Sequence, residues 1–474
     1  MLTKALYTGI SEKFLIFLFV MSMLLTKDIK AADFPIYSLL LLLTAFGWAA
    51  AEILLRHGIT GVFLPIRYRT DLPVFLVIFY ELAVIICKLF RNPDEGGIDF
   101  AGNAEVLAFA ALYLLISSGA AFSQRYYDLI LYGGLLFTTV FLYSHVTGMP
   151  FPEYGSLVWK DKGAAASCFL LICMVGVYQY CTCKDRLRSG FYFAISAIGF
   201  LALFLNCNIV SFWLMTAYFM AIPVLLRPTA QLVRKSMQMF FLFGLMLSNM
   251  SLLTAYTQIF ATELPFSLEH SIYLDLLLAV GGILFFYYWE KVPEGIDMER
   301  LVLRKMRRVY KTALTIVVIL FAGIVFGGDR WTALGEKVPE TAWKSFAMPL
   351  VEAVKQTESG FYVCFREAGV IPGIFVIIFL TLLLNRLRKN YGMDKPLTGS
   401  LTLIAAVFMI QMFFCKPAAN TLTIYYVLLL FAAFYKEEKN RMVSVRIRGE
   451  TLRKQRDGIE EKALHYRWKE RQGF

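Results

Sequence analysis

Residues 327–373 read GGDRWTALGEKVPETAWKSFAMPLVEAVKQTESGFYVCFREAGVIPG and form the longest polar interruption on one side of an otherwise apolar chain. Within this stretch, Trp343, Phe346 and Leu350 recur at helical spacing, and charged residues lie on the opposite face. The pattern predicts an amphipathic helix over 341–355 that lies in the plane of a bilayer surface. The apolar segments on either side of it therefore decide the fold.

Composition favours a polytopic membrane protein over a soluble enzyme, because 58% of the 474 residues are hydrophobic and only 17% are charged. A spanning helix needs about 20 mostly apolar residues. Apolar runs of this kind occur at 14–26, 35–55, 72–90, 103–119, 127–146, 163–181, 190–206, 208–226, 236–257, 270–289, 310–327, 368–386, 399–415 and 421–435. We therefore predict an all-α fold, with a polytopic transmembrane domain over 1–435 that has about 14 helices.

Basic residues predict the orientation of the chain. They cluster in loops that share one side of the bundle, and in the tail 436–474, where twelve Lys and Arg stand against seven Asp and Glu. The basic loops are 182–189, 226–235, 290–311 and 386–398. Because basic short loops stay in the cytoplasm, both termini are expected to be cytoplasmic and the loop 328–367 to lie outside. The net charge of +12 thus indicates contact with membrane lipids and not with nucleic acid.

Ionisable residues inside apolar runs are candidate functional groups, since a charge there is costly. Glu81 lies in the middle of its span, and Asp275 lies about a turn inside another. Each could bind substrate or could be a buried acid that pairs with a neighbouring helix. His270 begins a span and could contact a phosphate or be an interfacial polar residue.

The outer loop carries the strongest candidates. Arg330 follows two glycines at the outer end of a span, where an arginine can bind a diphosphate with two hydrogen bonds or simply anchor the helix at the headgroups. Glu358 could deprotonate a sugar hydroxyl, and Arg366 lies eight residues after it. Arg91, at the outer end of the third predicted span, offers a second basic site.

Cofactor signals are missing from the sequence. We find no phosphate-binding glycine loop and no nucleophile motif, so nucleotide chemistry is not predicted. The eight cysteines have neither disulfide nor zinc spacing, and the four histidines are scattered. No metal and no cofactor are expected.

With these residues in hand, the chain resembles the O-antigen polymerase and O-antigen ligase superfamily, bacterial membrane glycosyltransferases. The resemblance covers the layout of about 200–435 and its motifs lie in 327–373. Family members tend to open their largest outer loop with Gly or Ser and Arg, followed by Trp, and this chain is similar in its Gly328–Asp329–Arg330–Trp331 segment. They close it with a His-Asn or acid-polar pair, here Glu358 and Ser359, so the histidine typical of ligases is replaced. The Ser-Arg-Gly signature of a mid-chain span has no match.

The resemblance implies polymerisation of oligosaccharide repeat units linked to undecaprenyl diphosphate, on the outer face of the bacterial cytoplasmic membrane. It implies that neither a metal nor a nucleotide sugar takes part. A chain-length regulator is a further partner that it suggests. Arg330, with Arg366, would neutralise the leaving diphosphate, and Glu358 would orient the acceptor hydroxyl.

Three alternatives remain open from the sequence. A ligase would transfer a finished glycan to a different acceptor by the same chemistry. A flippase or exporter of lipid-linked oligosaccharide would also suit many spans, although such transporters favour matched halves and short loops on both sides. A membrane scaffold without a site is the third.

Overall fold

A computed structural model describes the protein, at residues 30–31, 34–35, 68–91, 106–107, 109–110, 112–114, 116–117, 122, 124–147, 162–206, 208–226, 229–257, 272–290, 370–391, 396–414 and 419–434. The described helices all belong to one unit, Met1–Phe434. The basic tail 436–474 lies outside the described residues, so the predicted domain boundary stays a prediction.

Helices make up nearly all of the described chain. Their bounds are α1 Asp71–Arg91, α2 Arg125–Thr147, α3 Lys162–Thr182, α4 Arg186–Leu205, α5 Ile209–Leu225, α6 Ala230–Thr257, α7 Ile272–Glu290, α8 Val370–Asn390, α9 Pro396–Phe414 and α10 Ala419–Phe434. Helical residues also occur within 106–117. The exception to the all-α prediction is a two-residue antiparallel pair, β1 Lys30–Ala31 with β2 Phe34–Pro35.

The predicted break within the apolar region 190–226 matches the structure, which has two helices there, α4 and α5. The side chain of Asn208 accepts a hydrogen bond from the backbone N–H of Ser211 and thereby caps the start of α5. The backbone N–H of Asn206 bonds back to Ala202 and ends α4. A short polar side chain, that of Asn208, thus competes for backbone hydrogen bonds at the break in an otherwise continuous apolar run.

Five helices of the described chain are long and apolar enough to cross a membrane, which is consistent with a membrane protein. They are α2, α3, α4, α8 and α9, and three shorter apolar helical stretches accompany them. The count of about 14 spans stays a prediction, because the runs 14–26 and 310–327 and most of 35–55 lie outside the described residues. The predicted amphipathic helix 341–355 does so too.

Helix α3 is the centre of the described bundle. It packs against α2, α4, α5, α6, α9 and α10, and 89% of the residues in its apolar span are buried. After Lys162 its sequence contains no charged residue, and a helix that is apolar on all sides is stable only when it is enclosed. Six of the other helices are therefore packed around this one.

Three of the loops that carry basic residues, 182–189, 226–235 and 386–398, lie together in the described structure, at an end of the bundle that we call the basic end. The ammonium group of Lys235, at the start of α6, donates a hydrogen bond to the carbonyl oxygen of Cys183 at 2.8 Å, and thereby joins loops 226–235 and 182–189. The hydroxyl of Tyr391, after α8, bonds to the carbonyl oxygen of Leu225. Three basic segments that are separate in the sequence therefore lie at the same end of the bundle.

Candidate functional site

Asp275 lies in the first turn of α7 and is held by two donors from α6. The amide of Asn249 donates a hydrogen bond to its Oδ1 at 3.2 Å, and the hydroxyl of Ser248 bonds to the same oxygen. The carboxylate is half-buried, while Ser248 is buried. We call Asp275, Ser248 and Asn249 the carboxylate site.

Close helix packing positions this site. Gly244 lies one turn before Ser248, and a Cβ atom there would lie 3.2 Å from a methyl carbon of Leu278. The absence of a side chain at Gly244 lets α7 approach α6 closely. Because residues four apart share a helix face, Gly244 and Ser248 both face α7.

A carboxylate with two donors on one oxygen has a fixed orientation. It can accept a hydrogen bond from a sugar hydroxyl or take its proton as a general base. The positive end of the α7 dipole also favours negative charge at this position. The arrangement therefore suits recognition of a polar, hydroxyl-rich ligand.

The carboxylate site is remote from the basic end. Glu290, at the other end of α7, lies 3.9 Å from Arg234, the neighbour of Lys235. Fifteen residues of helix separate Asp275 from Glu290, which corresponds to about 22 Å. If the basic end is cytoplasmic, as the positive-inside rule predicts, the carboxylate site lies toward the outer face.

Glu81 lies in the middle of α1, and its side chain is 2% exposed. Phe79 on the same helix is 68% exposed, so the acid points to the protein interior while the aromatic ring points outward. Helix α1 packs against α8, whereas α7 packs against α6. The structure therefore gives Glu81 and Asp275 different neighbouring helices. Arg91 is the last residue of α1.

Arg330, Glu358, Arg366 and His270 lie outside the described residues, and their distance from Asp275 stays a prediction. Among the residues that the structure does describe, no group of three His, Cys, Asp or Glu side chains could hold a metal ion.

A second carboxylate cluster, which the sequence did not reveal, lies at the basic end. Asp128, in the first turn of α2, accepts hydrogen bonds from the hydroxyl of Tyr192 at 2.8 Å and from the amide of Gln179 at 3.4 Å. Gln179 in turn accepts from Gln124 at 2.8 Å. An acid at the beginning of an apolar run was the available signal, and it is the same signal that singled out Asp275.

Asp71, at the start of α1, belongs to a third cluster that the sequence did not reveal. The hydroxyl of Tyr113 donates to Asp71 and also bonds to Thr70. Lys235 is a further half-buried charged group at the basic end. It precedes the predicted span 236–257, and burial lowers the pKa of its ammonium group below the usual range.

Comparison of the chain with protein-family models, with curated proteins and with solved structures finds no match.

Proposed function

We propose that the chain is a membrane glycosyltransferase that polymerises lipid-linked oligosaccharide repeat units. Its substrate would be an oligosaccharide on undecaprenyl diphosphate, and the reaction would take place on the outer face of a bacterial cytoplasmic membrane. The product would be a longer glycan of the capsule, exopolysaccharide or O-antigen type. Both termini would be cytoplasmic, with loop 328–367 outside.

The observation that carries the proposal is the carboxylate site. Asp275 is oriented by Ser248 and Asn249, and its carboxylate can accept hydrogen bonds from hydroxyl groups. It lies between two apolar helices, at the end of α7 away from the basic loops. A sugar ligand offers the hydroxyl donors that such a carboxylate binds. The sequence of the outer loop adds Arg330, beside Trp331, and Glu358. An arginine suits the diphosphate of the donor, and a carboxylate suits the hydroxyl group of the acceptor.

The proposed reaction is a single displacement at the anomeric carbon of the donor glycan. A hydroxyl oxygen of the acceptor unit forms the new glycosidic bond, and the bond between that carbon and the diphosphate oxygen breaks. The proton of the hydroxyl passes to the carboxylate of Glu358. The electron pair leaves with undecaprenyl diphosphate, whose charge Arg330 and Arg366 neutralise. Asp275 would hold a second hydroxyl of the sugar and thereby orient it.

The test uses the purified full chain in liposomes with a short oligosaccharide on a lipid diphosphate, and no added nucleotide. A ladder of longer glycans on the lipid is the expected product. Asp275→Asn keeps the shape of the side chain but removes its charge, and should lower the rate of ladder formation by about tenfold or more. Asp128→Asn is the matched control, because it makes the same change in a similar hydrogen-bonded carboxylate at the basic end.

Equal ladders from both variants would contradict the role of Asp275, and a wild-type protein without a ladder would contradict polymerisation. Transfer of the glycan to a different acceptor would indicate a ligase. Movement of the intact substrate across the bilayer would indicate the flippase alternative. The buried acid Glu81 would then be the next residue to change.

A further inference from the structure

Arg386 occupies an unusual position at the basic end. Its guanidinium carbon lies 4.0 Å from the centre of the Tyr68 ring and 4.2 Å from that of the Phe434 ring. Its Nε donates a hydrogen bond to the carbonyl oxygen of Ala433 at 3.0 Å. Two aromatic rings and one carbonyl group therefore fix the plane of the guanidinium group.

The two terminal nitrogens of Arg386 form the remaining edge of the group. Among the residues that the structure describes, neither nitrogen has a hydrogen-bond partner, and no carboxylate lies within ion-pair distance of them. The side chain is half-buried. A fixed positive charge with several free donors and no protein anion is a binding group for an anion.

We propose that the terminal edge of Arg386 binds a phosphate group. The two ring centres lie 5.2 Å apart, so the rings do not enclose the guanidinium group between them. Its terminal edge has the geometry for paired N–H···O bonds to two phosphate oxygens. Arg388 and Lys389, in the last turn of α8, are exposed and add positive potential around the edge. This site is distinct from the carboxylate site and does not depend on the proposed glycosyltransferase activity.

The position of the site indicates a phospholipid headgroup as the source of the phosphate. Arg386 lies in a helix that is long and apolar enough to span a membrane, within its last turns. It shares the basic end with the loops that are expected to contact anionic lipid. Free inorganic phosphate has the same chemistry, and the experiment separates the two sources.

Asn390 provides a matched control that separates phosphate binding by Arg386 from a purely structural role. The amide of Asn390 also donates to the carbonyl oxygen of Ala433, so Asn390 and Arg386 together cap the end of α10. Asn390→Ala removes a cap hydrogen bond and leaves the phosphate-binding edge intact. Arg386→Gln removes the edge, and Arg386→Lys keeps the charge but loses the paired donors.

The experiment measures the melting temperature of the purified full chain in detergent, with and without added lipid, because a ligand that binds the folded state raises it. Dioleoylphosphatidylglycerol carries the phosphate, and dioleoylglycerol has the same chains without it. We expect the phospholipid alone to stabilise the wild type and Asn390→Ala. The half-saturating phospholipid concentration should rise about tenfold in Arg386→Lys and the effect should vanish in Arg386→Gln, each compared with its own lipid-free melting temperature.

Inorganic phosphate is titrated separately against the lipid-free protein. If it reproduces the stabilisation and Arg386→Gln abolishes this effect, the site binds phosphate but a small anion is its source. An equal response of wild type and both Arg386 variants to phospholipid would overturn the proposal. An equal response of the wild type to dioleoylglycerol would overturn it as well. If Arg386→Gln does not fold, Arg386→Lys decides, because its retained charge supports the fold.

Discussion

The ammonium group of Lys235 lies 3.0 Å from the carbonyl oxygen of Tyr180 and 4.8 Å from the centre of the ring of the same residue. It also donates to the carbonyl oxygen of Cys183 at 2.8 Å and to the hydroxyl of Ser189 at 2.9 Å. The carbonyl groups at a helix C-terminus lack partners within the helix, and a cation satisfies them well. One side chain from α6 thus fixes the corner between the central helix α3 and α4.

Replacing Lys235 by Met should destabilise the protein by about 2–3 kcal/mol, because charged hydrogen bonds are lost and carbonyl groups at the end of α3 lose their partner. The measurement is thermal unfolding in detergent with a thiol-reactive dye. Cys168, Cys173 and Cys181 are buried in the folded protein, and they react once it unfolds. The melting temperature should fall by several degrees.

The neighbouring residue supplies the control. Arg234 faces Glu290 at 3.9 Å with both side chains well exposed, 49% and 70%. Ion pairs of this kind contribute about 0–1 kcal/mol, so Arg234→Ala should leave the melting temperature nearly unchanged. Equal losses in the two variants would mean that general charge at this end matters and that the contacts of Lys235 do not.

Gly134 on α2 should tolerate no side chain. A Cβ atom there would lie 2.5 Å from Cγ1 and 3.3 Å from Cγ2 of Ile172 on the central helix. A β-branched side chain in a helix has essentially one χ1 rotamer, so Ile172 cannot rotate away. We expect Gly134→Ala to cost about 1–3 kcal/mol despite the better helix propensity of alanine, measured by the same thiol assay.

Gly190→Ala makes the same chemical change in open space, since no atom lies within 4 Å of the added Cβ. Here only helix propensity counts, and the variant should be more stable by about 0.5–1 kcal/mol. If both glycine variants shift the melting temperature in the same direction, the close approach of α2 to α3 does not explain the effect of Gly134→Ala.

Gln411 in α9 is 1% exposed, and among the described residues neither its amide nitrogen nor its oxygen has a hydrogen-bond partner. A buried polar group without partners is costly. Gln411→Met has nearly the same shape and should stabilise the protein by about 1–2 kcal/mol.

Gln238→Met should act in the opposite direction, because the oxygen of Gln238 accepts a hydrogen bond from the hydroxyl of Tyr180 at 2.7 Å. A loss of about 1 kcal/mol is expected there. Destabilisation by Gln411→Met as well would contradict the assignment of Gln411 as an unsatisfied group.

The helices were predictable because a run of about 20 apolar residues is typical of a helix that crosses a bilayer. The run 163–181 corresponds to α3 at Lys162–Thr182, and the caps at Asn206 and Asn208 fall at the predicted break. Asp275 was singled out from the sequence because an acid within an apolar run is rare enough to stand out, and its functional role stays a prediction.

The partners of these residues were not predictable, because hydropathy contains no information on helix rotation or on which helices are neighbours. Ser248 and Asn249 look like ordinary polar residues until α7 is packed against α6. Arg386 was interpreted as one of the basic residues that set orientation. Its aromatic neighbours lie far away in the sequence, Tyr68 just before α1 and Phe434 at the end of α10, and a sequence pattern does not join such positions.

In the outer loop, Arg330→Ala and Glu358→Ala should each abolish glycan polymerisation while the protein still inserts and folds. Loss of one preorganised charged group at a reacting centre commonly costs about 100-fold or more in rate. The glycan ladder on the lipid carrier measures activity, and the thiol assay measures folding. Glycans of normal length from both variants would exclude these two residues from the site.

The predicted orientation can be tested with two native cysteines. Cys183 is half-exposed at the basic end, and Cys364 lies in the sequence of the loop predicted to be outside. We expect a membrane-impermeant maleimide to label a variant that retains only Cys364 in intact cells. A variant that retains only Cys183 should be labelled only after permeabilisation, because basic short loops remain in the cytoplasm. Labelling in the reverse order would place the carboxylate site toward the cytoplasm, where the proposed extracellular polymerisation could not use it.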